Sequence, residues 1–297
     1  MSAYDAVNLG LLPPPDVVEV LDFEAILATM KADLIVRAPD LAAVLDLESD
    51  PINKLLEVFA YRELVWRARV NDAARSVMLA TARGADLEHL GALYGVTRLM
   101  IDAGDATATP PRPPVYEADD ALRARIQLAP EALTVAGSRG SYEFHARSAS
   151  ALVADVAVDS PAPGNVRVTV LARDGDGQAG PAVLDAVQVA LSAEDVRPLC
   201  DTVSVQSAAI VNYQITATLD IAPGPDAQVV LVRAQAAVTD YAGSIRRIGQ
   251  PVTISGLHAA LHREGVSRVT LTSPADEVDP GPTGAAYCTA ITVTVAT

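Results

Sequence analysis

The chain has 297 residues, half of them apolar but with aromatics at only 4%. That length allows two or three domains whose cores must be filled by Ala, Val and Leu. A net charge of −15 without a basic patch argues against a nucleic-acid partner. In so acidic a chain, Arg-bearing segments are the places to look for contacts between copies.

No uninterrupted apolar run is long enough to span a bilayer. Asp5 stands where a signal peptide carries positive charge, and Pro13-Pro14-Pro15 interrupts the apolar stretch. A soluble product made in the cytoplasm and not exported by a signal peptide is therefore expected. Cys200 and Cys288 lie far apart without a CxxC pair, and read as reduced, buried small hydrophobes.

The opening to Pro15 reads as extended. Residues 21–38 form a helical pattern with Phe23, Ile26, Leu27, Met30 and Leu34 on one side, and 41–48 a shorter one. A helical signature then runs from Pro51 to Arg83 with no internal Gly or Pro. Asp50 suits its N-cap, Pro51 its first position and Gly84 a left-handed C′ residue. Such a helix would be about 50 Å long, more than one small domain needs. Ile52, Leu56, Phe59, Glu63, Trp66, Val70, Ala73, Val77 and Thr81 fall on one stripe by steps of mostly three and four, as in a heptad seam. A weaker band holds Val58, Tyr61, Val65 and Leu79. Two bands point to a helix inside a bundle; the alternative is an amphipathic helix buried in its own domain. Glu63 and Arg67 stand at i,i+4 in the favourable order. A carboxylate at Glu63 within the seam would need a cross-chain partner such as Arg. A short helix follows, with Asp86 as N-cap and Gly95 at its end.

Residues 102–116 contain Pro110, Pro111, Pro113 and Pro114 and read as a semi-rigid polyproline spacer. Helices are expected at 119–128 and 138–150, strands at 153–158 and 165–171 around a turn at 160–164, a helix at 181–191 and a strand beginning at 203–205. Tyr213, Ile215, Ala217 and Leu219 then alternate as a strand, followed by a turn at Pro223-Gly224-Pro225. Helices at 228–241 and 253–263 and strands at 266–271 and 290–295 complete the chain. The order of the two mixed units is similar enough to raise a diverged duplication. The fold class is α+β: an N-terminal extended arm and helical bundle region (1–101), the Pro-rich linker (102–116), a first α+β domain (117–208) and a second (209–297).

Motifs for chemistry are weak. Gly175, Gly177 and Gly180 match GxGxxG, but Asp174 and Asp176 would repel a pyrophosphate and Pro181 removes an N–H. The same stretch as a calcium loop has Ala179 where Gly is needed. His258 and His262 at i,i+4 on a helix lack both an adjacent Glu and a third ligand. His89 and His145 have no nucleophile context. Asp119-Asp120 and Asp276-Glu277 read as caps and solvated loops. No catalytic, cofactor-binding or metal-binding residue is assigned, and the reading is not an enzyme.

Several blocks carry a resemblance: LPPPDVVE at 12–19 with LDFEAILA behind it, LESDPINKLLEVFAYRELVWRARVNDAARSVMLATARGADLEHL at 47–90, DDALRARIQLAPEALTVAGSRGSYEFHARSAS at 119–150, SPAPG at 160–164, AEDVRPLCDTV at 193–203, IVNY at 210–213, AALHREGVSRV at 259–269 and AAYCTAITVTV at 285–295. In order and extent these blocks resemble the baseplate assembly protein J family of contractile-tailed bacteriophages. The resemblance places the GxGxxG stretch in a variable loop and the His pair in a closing block, neither a known active site of the family. It implies a structural wedge component of the virion tail. In that arrangement two copies join wedge protein I through a bundle of long helices, wedge protein W attaches the assembly to sheath and hub, and neighbouring wedges close a six-fold ring. Tailocins and contractile injection systems use the same part. The residues expected at the bundle are Ile52, Leu56, Phe59, Glu63, Trp66, Val70 and Val77. A Pro-rich spacer would let two identical copies place their C-terminal domains differently. The competing classes are a soluble adaptor that binds one partner through the long helix, and an enzyme with an unrecognised site in the α+β half.

Overall fold

In the computed structural model the described residues are 7–13, 15, 17, 19–134, 136–222 and 226–296. They are a mixture of helices and small sheets with a helical N-terminal region. Contacts divide them into two compact units, one of residues 7–97 with 119–123 and one of 98–118 with 124–296. No helix among the described residues is long and apolar enough to cross a membrane.

The first unit is built on α1 (Phe23–Arg37) and α3 (Pro51–Ser76), with α2 (Ala42–Leu45) between them and α4 (Gly84–Ala92) after them. Asp22 caps α1 by accepting from the Ala25 N–H at 3.1 Å, and Asp50 caps α3 by accepting from Ile52 at 2.8 Å. Each carboxylate satisfies one amide that the first helical turn leaves free. Ile26 and Leu27 of α1 bury against Ala60 of α3, flanked by Phe23, Met30, Leu56 and Leu64.

α3 is shorter than its sequence pattern. It ends at Ser76, after 26 residues and about 39 Å, where a run to Arg83 was expected. The cause is tertiary competition for carbonyls. Thr81 Oγ1 donates to Arg75 O at 2.6 Å, and the Arg123 guanidinium donates to Leu79 O and Ala82 O, each at 2.8 Å. These bonds take acceptors that a continued helix would use for its own amides. Gly84 does have positive φ (51°), but it opens α4 rather than closing α3, and Asp86 lies in the first turn of α4, whose N-cap is Arg83.

The segment read as an extended spacer folds back on itself. β1 (Met100–Asp102) pairs antiparallel with β2 (Val115–Tyr116), and Asp105 and Arg112 exchange backbone bonds at 2.9 Å across the ribbon between them. Gly104, at φ 69°, lies so close to Arg112 O that a Cβ there would meet it at 2.3 Å. The prolines interrupt pairing at the tip without keeping the segment straight. At the base of the ribbon, the buried Glu117 carboxylate accepts from Leu99 N at 2.9 Å and from the buried Arg125 guanidinium.

The remaining elements are α5 (Asp119–Leu128), α6 (Arg139–Ala149), β3 (Val153–Ala162), β4 (Asn165–Ala172), α7 (Pro181–Leu191), β5 (Thr202–Ser207), β6 (Ala209–Ile221), α8 (Ala227–Ser244), α9 (Ile254–Leu261), β7 (Val266–Ser273) and β8 (Gly284–Val295). They form two three-stranded sheets, ordered β3-β4-β5 and β7-β6-β8. In both, the central strand has one antiparallel and one parallel neighbour. The element orders differ, α-β-β-α-β in the first and β-α-α-β-β in the second, so the expected recurrence of order fails although the sheets are alike. Tyr213, Ile215, Ala217 and Leu219 alternate inward as expected, against Val230, Ala234 and Val238 of α8 and Leu257 and Leu261 of α9. Val168 and Val170 of β4 pack with Tyr142, Val183 and Val187 in the other core. The turn Pro223-Gly224-Pro225 lies outside the described residues.

The GxGxxG stretch is a structural crossing between β4 and α7. The Gly177 carbonyl oxygen accepts from the Ala172 N–H at 2.8 Å, and with φ 106° a side chain there would meet Leu171 Cδ1 at 2.6 Å. Arg246 Nη2 donates to Gly175 O at 2.8 Å, and its guanidinium sits 5.0 Å above the Tyr287 ring. Ile248 N donates to Asp155 Oδ2 at 2.9 Å, so the two sheets are tied by polar bonds as well as by Leu171, Ala208 and Ala285.

Candidate partner-binding face of the long helix

α3 turns a narrow face toward its own unit. Asn53, Ala60 and Asn71 are its buried residues, with Leu56 and Leu64 partly covered. The two asparagines fix neighbouring backbone. Asn71 donates to Glu19 O at 2.8 Å and accepts from Glu19 N at 3.0 Å, while Asn53 Nδ2 donates to Leu45 O at 2.9 Å and Leu47 O at 2.5 Å. Asn71 thus supplies donor and acceptor together to a residue that has no ladder partner, whereas Asn53 serves only as a donor to its neighbours. Sequence reasoning missed this face. Its signal was two Asn residues eighteen apart, five full turns, with Ala60 between them.

The apolar stripe points away from that face. Phe59, Trp66, Val70 and Val77 are 55%, 63%, 51% and 69% exposed. Ile52, Leu56 and Glu63 are half-buried, and Val77 stands just past the helix end as its C-cap. Leu55, Val58, Tyr61 and Val65 of the flanking bands are exposed too. The reading of α3 as a helix buried in its own domain is thus overturned among the described residues.

Between α1 and α3 the stripe borders an open groove of about 720 Å³, with Met30, Leu34, Leu56, Phe59 and Trp66 lining it and Asp33, Arg37, Arg62 and Glu63 beside them. Glu63 does not wait for a partner from another chain. Arg67 Nε donates to Glu63 Oε1 at 3.0 Å, and Arg67 Nη1 donates to Glu19 Oε2 at 2.8 Å. The Glu63 hydrogen bond is the leading cause holding the Arg67 guanidinium above its ordinary pKa. This solvent-exposed triad aligns side chains without adding much stability.

The other sequence candidates do not converge. His258 lies on α9, but His262 is its C-cap and has left the helix, so the pair does not share a helical face. Burial holds His145 below the usual imidazole range, partly offset by Asp195. Asp119 accepts from Gly84 N at 3.2 Å and Asp120 pairs with Arg123. Cys200 is exposed rather than buried, while Cys288 is half-buried and burial raises its thiol pKa. No group of three or more His, Cys, Asp or Glu placed to hold a metal ion occurs among the described residues.

A helical region with an exposed apolar stripe, followed by two small mixed sheets, defines an α+β protein with a helix face open to other molecules. Comparison with known proteins makes the class specific. The Baseplate J-like N-terminal domain matches residues 48–105, the Baseplate J-like central domain 134–207 and the Baseplate J-like protein C-terminal domain 213–294. Baseplate protein J of Escherichia phage P2 is 49% identical over 288 residues, covering 95% of each chain. The chain belongs to the baseplate J-like family.

Proposed function

We propose that this chain is a structural, non-enzymatic component of a baseplate wedge in the virion tail, and that α3 is its bundling element. The observation that carries the reading is the exposure of Phe59, Trp66, Val70 and Val77 along α3. A contiguous apolar stripe left in water marks an interaction site, and heptad spacing matches it to other helices. The helix partners are a second copy of the chain and wedge protein I. Wedge protein W links the assembly to the sheath and hub region, and the C-terminal sheets contact neighbouring wedges in a six-fold ring whose rearrangement transmits the trigger for contraction. The division of the chain at 1–101, 102–116, 117–208 and 209–297 belongs to this proposal, with the central segment acting as a folded ribbon.

The test is co-expression with candidate wedge partners. Trp66→Asp with Val70→Asp is expected to abolish recovery of the wedge complex in a pull-down, while circular dichroism and cooperative unfolding of the sheets stay unchanged. Wedges recovered from the double variant would sink the bundle assignment.

A further inference from the structure

We infer that the open side of the α3 stripe docks a helix of another chain that carries carboxylates at seven-residue spacing beside its own apolar seam. This rests on the bundle reading above and adds the chemistry of the occupant. Phe59 and Trp66 are seven residues apart on the stripe, and Arg62 and Arg69 follow each of them by three. The two arginines therefore flank one side of the seam, about 10 Å apart along the axis, in the place where a helix bundle sets partner choice by charge.

Both arginines are exposed and form no ion pair among the described residues, whereas Arg67 and Arg75 of the same helix are paired within the chain. Arg37 of α1, beside the groove, is exposed and likewise forms no ion pair among the described residues. Of the two carboxylates lining the groove, Asp33 forms no ion pair among the described residues, and Glu63 is held by Arg67. The surroundings of the stripe are thus locally cationic on a chain of net charge −15.

A second copy of α3 is a poor match for this side. An antiparallel copy would set arginine against arginine, and a parallel copy would offer Glu63, which already has two hydrogen bonds from Arg67. An acidic amphipathic helix meets Arg62 and Arg69 without that conflict.

Trp66 is the single tryptophan and reports directly on the face. The full chain would be titrated with two synthetic amphipathic peptides of about four heptads, identical along the seam, one with Glu and one with Lys at the flanking positions. The Glu peptide is expected to blue-shift Trp66 emission and to bind about tenfold more tightly at low salt, with the gap narrowing as salt rises. Arg62→Glu with Arg69→Glu should reverse the preference. Equal binding, tighter binding of the Lys peptide or binding of neither overturns the inference. Sedimentation of the chain alone gives a second arm: self-association abolished by Trp66→Asp would assign this face to a second copy and overturn the inference while leaving the bundle reading intact. Failure of the bundle reading itself is read separately, from wedge recovery with Trp66→Asp and Val70→Asp.

Discussion

The long helix α3 and the region around β6 treat their apolar residues differently. Around β6, Ile215, Leu219, Leu257 and Leu261 are fully buried inside the chain. Along α3, residues of equal or larger size stay in water, and its apolar packing against α1 is the small cluster of Ile26, Leu27 and Ala60, while Leu87 and Leu122 are buried elsewhere in the same unit. Burial of a large apolar side chain contributes about 1.5–3 kcal/mol. The sheets collect that contribution on folding. For α3 most of it remains available to association, so the stability of the helical unit should depend on what it binds.

This contrast is open to direct attack, beginning with the strongest effect. Arg125→Met leaves the buried Glu117 carboxylate without its guanidinium, and is expected to destabilise the sheet-bearing unit by about 3–5 kcal/mol in urea unfolding. Leu219→Ala should cost about 2–5 kcal/mol by the same measurement. Gly177→Ala combines positive φ with the contact to Leu171, and about 1–3 kcal/mol of lost stability is expected. A small effect should come from Asp159, whose carboxyl is held below the usual range chiefly by the hydrogen bond from Arg167. Its folded pKa is depressed, so its contribution is present above the ordinary carboxylate range and fades as pH falls through the folded value. Because the pair is largely solvated, Asp159→Asn should lose less than about 0.5 kcal/mol at neutral pH, and the difference from the parent should vanish in acid. Trp66→Ala should change the free chain by no more than about 0.5 kcal/mol. A large loss from Trp66→Ala in the isolated chain would erase the contrast between α3 and the region around β6.

Much of this architecture was legible from pattern. Alternation at Tyr213, Ile215, Ala217 and Leu219 located β6, and Pro181 marked the first turn of α7. Asp50 and Pro51 marked the start of α3. What escaped was set by partners distant in sequence. The end of α3 depends on Arg123, forty-four residues beyond Leu79, and nothing between Ser76 and Arg83 announces it. The folding-back of the Pro-rich segment depends on pairing of Met100 with Tyr116, which composition does not encode. For the candidate site, heptad steps located the stripe but not its exposure. Periodicity is the same whether a stripe faces its own domain or another molecule, and the Asn53–Ala60–Asn71 face that packs inward is polar and small.

The ribbon between Met100 and Tyr116 has a practical consequence. Its two ends are paired with each other, so the chain leaves and returns at nearly one place whatever lies at the tip. Length added around Pro110 and Pro111 would change the tip and spare the base, where Glu117 and Arg125 fasten it. The tip is therefore a natural port for a genetically inserted label, one that would mark the particle without altering the path of the chain on either side.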